Sequence, residues 1–252
     1  MKKTYAAILA VLIFTLFQAV GGVVLSLFAA YTPLLLTLSI ILSGLLTVLT
    51  LFGLRLTQGW HTFSPSAVQW SLAPLAVLGA LSAAFAIDLM SEPFDLPNLM
   101  EEQFLQIART PLGILALAIV GPVVEEVVFR EAVLGNLLRD GMRPWLAILL
   151  SALVFGLIHV NPIQIPFALL IGIILGLLYC KTGNILLPLI VHILNNTLSV
   201  IEMNILGPEA SSFSYYRLLG QPLYLVAILL LLAISCLSLR YFWTHHSKSS
   251  HA

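Results

Sequence analysis

Charged residues are scarce in this sequence of 252 residues. Lysine and arginine contribute 11 positions and aspartate and glutamate another 11, which together make up 9% of the chain. Soluble domains carry about 25% charged residues. Hydrophobic residues account for 60% of the sequence, and its mean hydropathy is +1.05. This composition excludes an ordinary soluble domain and indicates a polytopic membrane protein.

Cysteine and repeated segments are also scarce or absent. The two cysteines, Cys180 and Cys236, lie at or within apolar segments, so they offer neither a disulfide framework nor a metal motif. We find no internal repeat of the kind that marks transporters with inverted halves, and no soluble segment interrupts the apolar runs. We therefore predict an all-α fold, with residues 1–252 as a single integral membrane domain, and we expect no nucleic-acid partner.

Long apolar runs dominate what is present. A membrane-spanning helix needs about 20 apolar residues, and we predict eight such spans. Their ranges are 6–30, 33–54, 67–87, 111–134, 145–160, 163–180, 185–206 and 222–243. The first run exceeds the roughly 7–15 residues of a signal-peptide core, so we expect a retained helix. Segment 88–109 is amphipathic, and it is expected to form either an interfacial helix or a connecting loop.

The basic residues outside these spans are unevenly distributed. With the N-terminus in the cytoplasm, only Arg109 and Arg217 fall in outside segments. The inside segments hold eight: Lys2, Lys3, Arg55, Arg139, Arg143, Lys181, Arg240 and Lys248. This asymmetry satisfies the positive-inside rule. It predicts a multi-pass protein of the cell membrane with both termini in the cytoplasm.

The fourth predicted span contains ionisable residues, which are expensive at membrane depth and often functional. Glu126 and Arg130 are four residues apart, so they share a helix face and can form an ion pair. Glu125 is turned about 100° from Glu126, so it can face a different neighbour. Pro122 lies one turn earlier and favours a kink with a local opening of the helix.

Two further spans carry polar groups at helical spacing. Phe155 and His159 lie one turn apart in the fifth span, and His192 and Asn196 lie one turn apart in the seventh, with Asn195 beside them. Each group has a structural alternative, because a histidine in a membrane helix is often a satisfied hydrogen-bonding group and asparagines often bridge helices. The Glu126–Arg130 pair can likewise act as structural glue.

The depth of these groups nevertheless predicts a common layer. Glu125, His159, His192 and Asn196 fall at similar distances from the predicted cytoplasmic ends of three spans, so we expect them to meet. A ridge of small residues on the sixth span allows close helix packing that would enclose this layer. The ridge consists of Ala168, Gly172 and Gly176.

In these groups the sequence resembles the CPBP (or Abi) family of type II CAAX prenyl endopeptidases and bacteriocin-processing intramembrane proteases. The family motifs EExxxR, FxxxH and HxxxN correspond here to residues 125–130, 155–159 and 192–196. The resemblance covers about residues 111–206, which we expect to form the catalytic core. Residues 1–110 and the last predicted helix match no motif, and we interpret residues 1–110 as family-variable helices.

The resemblance implies hydrolysis of a peptide bond within the membrane. Glu125 would act as general base, and His159 would help to hold and polarise the water. His192 and Asn196 would stabilise the oxyanion. The expected supporting residues are Glu126, Arg130, Asn195 and Phe155. Glu131 departs from the glycine common at this position in relatives, and it is expected to alter packing or access.

Cofactor, substrate and function class remain open. We favour a metal-free mechanism without a cofactor, with zinc bound by Glu125, His159 and His192 as the alternative. The expected partners are the lipid bilayer and a membrane-associated peptide or protein, such as a prenylated C-terminus, a peptide pheromone or a bacteriocin leader. A proton-coupled transporter and a non-catalytic immunity or binding protein are the competing hypotheses.

Overall fold

In the computed structural model, residues 2–27, 32–58, 63–209 and 213–246 are described. Regular structure within these ranges is helical, and no strand occurs in them. We number the main helices of the described ranges in chain order. They are α1 (Lys3–Leu27), α2 (Pro33–Gly53), α3 (Ala73–Ser91), α4 (Glu101–Ala108), α5 (Pro111–Arg139), α6 (Pro144–Leu157), α7 (Gln164–Thr182), α8 (Leu186–Leu206) and α9 (Tyr215–His245).

The predicted all-α polytopic membrane bundle is confirmed. Seven helices of the described ranges are long and apolar enough to cross a membrane. The fifth predicted span corresponds to α6, which is apolar but has only 14 residues. At 1.5 Å per residue its length is about 21 Å, which is less than the roughly 30 Å of a bilayer's hydrocarbon core.

Several helix ends differ from the predicted ones because of proline. Helix α6 ends at Leu157, not near residue 160, since a residue that precedes proline avoids helical geometry and Pro162 follows closely. Helix α3 starts at Ala73, not near residue 67, with Pro74 in its first turn. Helix α9 begins earlier than predicted, at Tyr215, and is interrupted at Gly220, where φ is 71° and Pro222 follows.

The amphipathic segment 88–109 is divided between two helices. Its first residues extend α3 to Ser91, and a short turn of 3₁₀ helix follows at Glu92–Phe94. Helix α4 then has acidic residues in its first turn and buries Ile107 and Ala108 near its end. The segment therefore contains a short amphipathic helix that packs on the bundle.

Helix α5 runs through the centre of the bundle. It packs against α1, α2, α6 and α8, while α1 and α2 form a hairpin, α3 packs on α9, and α6 packs on α7. Every residue from Glu126 to Gly135 is buried. A helix that is enclosed on all sides belongs to the core of a protein, so Glu126, Arg130 and Glu131 lie inside the bundle.

The winding of α5 is irregular in two places. Residues Ala116–Val120 and Glu126–Gly135 form π-helix, separated by α-helix at Gly121–Glu125. In the first stretch the Gly121 amide donates to the Ala116 carbonyl, five residues earlier. Stretches of π-helix occur frequently at functional sites, and here the second one carries Glu126 and Arg130.

Candidate functional site

A buried ion pair forms the innermost part of the site. Arg130 Nη1 lies 3.1 Å from Glu126 Oε1, and the two side chains are 1% and 0% exposed. His192 Nδ1 lies 2.8 Å from the same carboxylate oxygen. The carboxylate of Glu126 therefore holds both the arginine of its own helix and the histidine of α8.

Glu125 occupies the open side of the same cluster. Its Oε2 lies 3.5 Å from His192 Nε2, and its side chain is 22% exposed. The ring of His192 thus bridges the two adjacent glutamates, with one nitrogen toward each. Glu125 is therefore the more exposed of the two carboxylates, whereas Glu126 is enclosed.

The bridge has a consequence for protons. Suppose that His192 Nδ1–H donates to Glu126. His192 Nε2 and the Glu125 carboxylate are then both hydrogen-bond acceptors, so they can bond to each other only if one of them carries a proton. A proton on either group gives Glu125, Glu126, Arg130 and His192 a total charge of zero. A neutral cluster is the least expensive state in a low-dielectric interior.

Phe155 is the hydrophobic centre of the site. Its ring centroid lies 5.0 Å from that of His159 and 5.8 Å from that of His192, both with perpendicular rings. The Arg130 guanidinium carbon lies 4.4 Å from the same centroid, which is cation–π geometry. This one phenyl ring therefore contacts groups from all three motifs.

Close packing of α6 and α7 fixes that ring. A Cβ atom placed on Gly172 would lie 3.1 Å from Cδ1 of Phe155 and 3.2 Å from Cβ of Ala152. These distances are shorter than ordinary van der Waals contacts, so a side chain at position 172 would push against Phe155. The small-residue ridge of α7 thus lies against the helix that carries Phe155.

His159 lies in the turn beyond α6, although the sequence predicted it within the fifth span. Its Nδ1 is 2.7 Å from the Phe155 carbonyl oxygen. A carbonyl can only accept, so Nδ1 carries the hydrogen, and in the neutral ring Nε2 then has the lone pair. The ring is partly exposed, so Nε2 is suited to accept a hydrogen bond from water.

The turn after His159 is strained and anchored. Val160 has φ of 56°, which is an outlier for a β-branched residue. The Asn161 amide donates to the His159 carbonyl at 2.6 Å, and the buried Asn161 side chain binds the segment before α4. Its Oδ1 accepts from the Leu99 amide at 3.0 Å, and its Nδ2 donates to Asn98 Oδ1 at 2.8 Å. Our sequence reasoning missed Asn161.

Asn196 contacts the backbone of α5. Its Nδ2 donates to the Leu117 carbonyl at 3.1 Å, and Asn195 Nδ2 lies 3.4 Å from Asn196 Oδ1. In the π-helical pattern of this stretch, each carbonyl accepts from the amide five residues later. The Leu117 carbonyl would therefore accept from residue 122, which is proline and has no N–H. The Asn196 amide therefore satisfies the carbonyl that Pro122 leaves without a donor.

A second ionic cluster lies further along α5, around Glu131. Its Oε1 accepts from the Gln58 amide at 3.1 Å and from Arg139 Nη1 at 3.0 Å, and its Oε2 accepts from Tyr179 Oη at 2.8 Å. Glu131 is 2% exposed. The only sequence signal of this cluster was the charged residue in place of the expected glycine.

Hydrogen bonding remains incomplete around the first cluster. Among the described residues, Glu126 Oε2 and both terminal nitrogens of Arg130 are buried without a protein hydrogen-bond partner. The Arg130–Glu126 distance of 3.1 Å is thus that of an ion pair whose angles are poor for a hydrogen bond. Such groups are uncommon in native proteins, and a catalytic role is one recognised reason for keeping them.

The suggested zinc ligands are not arranged around a common point. No three His, Cys, Asp or Glu side chains of the described ranges lie close enough to hold one metal ion. Both ring nitrogens of His192 face carboxylates, and His159 Nδ1 faces a carbonyl. In this arrangement Glu125, His159 and His192 do not fit a zinc ion.

Fold and site together define a polytopic helical membrane protein with a buried carboxylate–histidine cluster. The family model described as Type II CAAX prenyl endopeptidase Rce1-like matches residues 107–198, which contain all three motifs. The resemblance to this family that the motifs indicated is confirmed for residues 107–198.

Two curated relatives each match part of the chain. The chain is 33% identical to the putative membrane peptidase YdiL of Bacillus subtilis (strain 168) over 95 residues. The matched residues make up 38% of this chain and 38% of the relative. The chain is 36% identical over 115 residues to the membrane-embedded CAAX protease MroQ of Staphylococcus aureus (strain USA300), which is 43% of this chain and 46% of the relative. The chain thus spans less than half the length of these relatives. No solved structure matches it significantly.

Proposed function

We propose that this protein is an intramembrane endopeptidase that hydrolyses a peptide bond in a membrane-associated peptide or protein. The family of residues 107–198 and the names of both relatives support this assignment. The observation that carries it is the His192 bridge between an accessible glutamate and an enclosed one. A structural ion pair needs no second carboxylate at 22% exposure.

In the proposed reaction Glu125 accepts a proton from water while the water oxygen attacks the scissile carbonyl carbon. His159 Nε2 accepts a hydrogen bond from the same water and orients it. The carbonyl oxygen becomes an oxyanion, which protonated His192 stabilises. The proton then moves from the cluster to the amide nitrogen, the C–N bond breaks, and the amine leaves.

The remaining motif residues act as positioning groups in this proposal. Glu126 and Arg130 orient His192 and balance its charge within the bundle. The Asn196 bond to the Leu117 carbonyl supports a positioning role on α5, whereas the sequence suggested direct contact with the oxyanion. Phe155 holds both histidine rings, and Asn195 orients the Asn196 amide.

The substrate class is part of the proposal. The Staphylococcus relative is named a CAAX protease, which supports a prenylated C-terminal peptide. A peptide pheromone, a bacteriocin leader or a juxtamembrane segment of another protein would also present a peptide bond at membrane depth. A comparison of membrane peptidomes between cells with the wild-type protein and with Glu125→Gln identifies the substrate without prior choice.

The decisive experiment replaces Glu125 with glutamine. This variant keeps the shape of the side chain but removes the base, so we expect turnover to fall by roughly 10²- to 10⁴-fold with unchanged folded yield. Glu101→Gln on α4 is the matched control, because it makes the same chemical change away from the site.

Two outcomes would contradict the proposal in different ways. A cellular phenotype that survives Glu125→Gln would favour a binding or immunity protein over an enzyme. Turnover that survives Glu125→Gln but is lost reversibly with chelators would favour zinc chemistry at His159 and His192.

Placement in the cell membrane with cytoplasmic termini stays a prediction from charge distribution. Reporter fusions before Lys2 and after residue 252 should both report cytoplasm. The tail 247–252 lies outside the described residues. Opposite locations for the two ends would require an odd number of crossings, for which the short helix α6 would be the first candidate.

A further inference from the structure

A cavity of about 170 Å³ opens where three helices end on the same side of the bundle. Helix α1 begins there, α2 has just ended at Gly53, and α5 ends at Arg139. The lining residues are Lys3, Arg55, Leu56, Thr57, Gln58, Asn136 and Arg139. Because these are ends of membrane-spanning helices, the cavity lies at the level of the lipid headgroups.

The cavity is positively charged. Three of its lining residues are basic and none is acidic. Arg139 is paired with the buried Glu131 at 3.0 Å, whereas no carboxylate of the described ranges lies within 4.0 Å of the Lys3 or Arg55 side-chain nitrogens. Asp140, which follows Arg139 in the chain, accepts hydrogen bonds from Thr4.

Arg55 has a left-handed backbone conformation at the end of α2. The Leu56 amide donates to the Leu51 carbonyl at 2.9 Å and the Arg55 amide donates to the Phe52 carbonyl at 3.0 Å, which is a Schellman termination of α2. This termination places Arg55 at φ of 54°, a position that glycine usually occupies. An arginine tolerated there costs about 1 kcal/mol or more of backbone strain.

The rim is rigid as well as charged. Asn136 Nδ2 donates to the Leu56 carbonyl at 2.8 Å and to the Ala132 carbonyl at 2.7 Å, and the Gln58 amide donates to Glu131. The segment after α2 is thereby fastened to α5. Arg55 is thus held on a fixed segment beside the cavity, and Lys3 lines the same cavity from the first residue of α1.

We propose that this cavity binds a phosphate group, and that the headgroup of an anionic phospholipid supplies it. A volume of about 170 Å³ is more than ten times the roughly 10–15 Å³ that a cavity needs to hold one water molecule, which is room for a phosphodiester with a small substituent. Basic residues at a membrane edge attract anionic lipid, and a cavity with two free cations selects its headgroup. This proposal does not depend on the peptidase activity.

The test titrates the full chain in detergent with short-chain phosphatidylglycerol, short-chain phosphatidylcholine or inorganic phosphate, and follows thermal unfolding. We expect phosphatidylglycerol to raise the unfolding temperature in a saturable way and phosphatidylcholine to have no such effect. Lys3→Gln and Arg55→Gln should each weaken the apparent affinity by roughly fivefold. Arg139 is left intact, because its removal would strand the Glu131 charge.

Two matched variants keep the result interpretable. Arg143→Gln removes one exposed positive charge on the same side but outside the cavity, so it should retain wild-type affinity. Arg55→Lys keeps the charge and should recover most of the affinity even if Arg55→Gln folds poorly. A response to inorganic phosphate equal to that of phosphatidylglycerol would support the site but assign it to free phosphate. No saturable effect of either anion, or equal weakening by Arg143→Gln, would overturn the proposal.

Discussion

Two ionic clusters on α5 follow one another within ten buried residues, and they differ in how completely they are satisfied. Around Glu131, both carboxylate oxygens accept hydrogen bonds, from Gln58, Arg139 and Tyr179. Around Glu126, one carboxylate oxygen and two arginine nitrogens have no protein hydrogen-bond partner in the described ranges. Both glutamates are almost completely buried, so burial alone does not separate their roles.

Completeness of hydrogen bonding is thus a criterion that separates a candidate functional cluster from a structural one within the same helix. The Glu131 cluster is closed, since its bonds connect the segment after α2 with α5 and α7 and leave no carboxylate oxygen free. The Glu126 cluster is open, since His192 continues from it to Glu125, which is 22% exposed. A closed network fixes helices, whereas an open one keeps capacity for a substrate or a proton.

The largest expected effect on stability concerns the open cluster. Glu126→Gln leaves Arg130 without its counter-charge in a buried site, so we expect a loss of about 3–5 kcal/mol in unfolding free energy together with loss of activity. The unfolding free energy of each protein is measured in detergent by titration with a denaturant.

The double variant Glu126→Gln with Arg130→Gln serves as the control. It should regain part of the stability, because no uncompensated charge remains, but it should not regain activity. If Glu126→Gln alone were as stable as the wild type, the ion pair would not be buried as the structure has it.

Substitutions in the closed cluster around Glu131 should lower stability less than Glu126→Gln does, and they should leave turnover unchanged. Tyr179→Phe removes one hydrogen bond to Glu131, for which we expect about 1 kcal/mol of lost stability. Glu131→Gln should cost about 1–3 kcal/mol, less than Glu126→Gln, since Arg139 is 24% exposed and can turn toward water. Turnover per folded molecule is expected to stay near the wild-type value, and a large decrease would mean that the two clusters act as one.

Substitution of the fully exposed carboxylate of Asp140 should have the smallest effect on stability. Hydrogen bonds from Thr4 hold the pKa of Asp140 below its ordinary value of 3.8. Its folded-state pKa is lowered, so its contribution to stability is complete above pH 3.8 and disappears as the pH falls through the lowered value. Asp140→Asn should therefore lower the unfolding temperature slightly at pH 7 and leave it unchanged at strongly acidic pH. A difference that persists at acidic pH would contradict this origin.

Local features of the sequence predicted much of this arrangement. The apolar runs predicted the helices, and the four-residue spacing predicted the contact of Glu126 with Arg130, because both depend on neighbours along one helix. The pairing of Tyr179 with Glu131 joins residues 48 positions apart, and that of Gln58 with Glu131 joins residues 73 positions apart. Such contacts are set by tertiary packing, and no periodicity encodes them.

The details of the site were unpredictable for a similar reason. The His192 bridge requires the relative rotation of α5 and α8, which the sequence does not state. The π-helical winding of Glu126–Gly135 also changes which side chains share a face, because it adds almost one residue to each turn. Asn161 was missed because an asparagine before proline is ordinary in a turn, and its partners lie before α4.

The hydrogen bond from Asn196 to Leu117 makes Pro122 and Asn196 a single unit that spans two helices. One helix lacks a backbone donor at a defined place, and the other supplies a side-chain donor to the same carbonyl. Replacing the proline with an ordinary residue would introduce a second donor that competes for that oxygen, and replacing the asparagine alone would leave the carbonyl bare. Engineering of this core would therefore have to change both positions together. The effects of the two substitutions on the free energy of unfolding should be markedly non-additive.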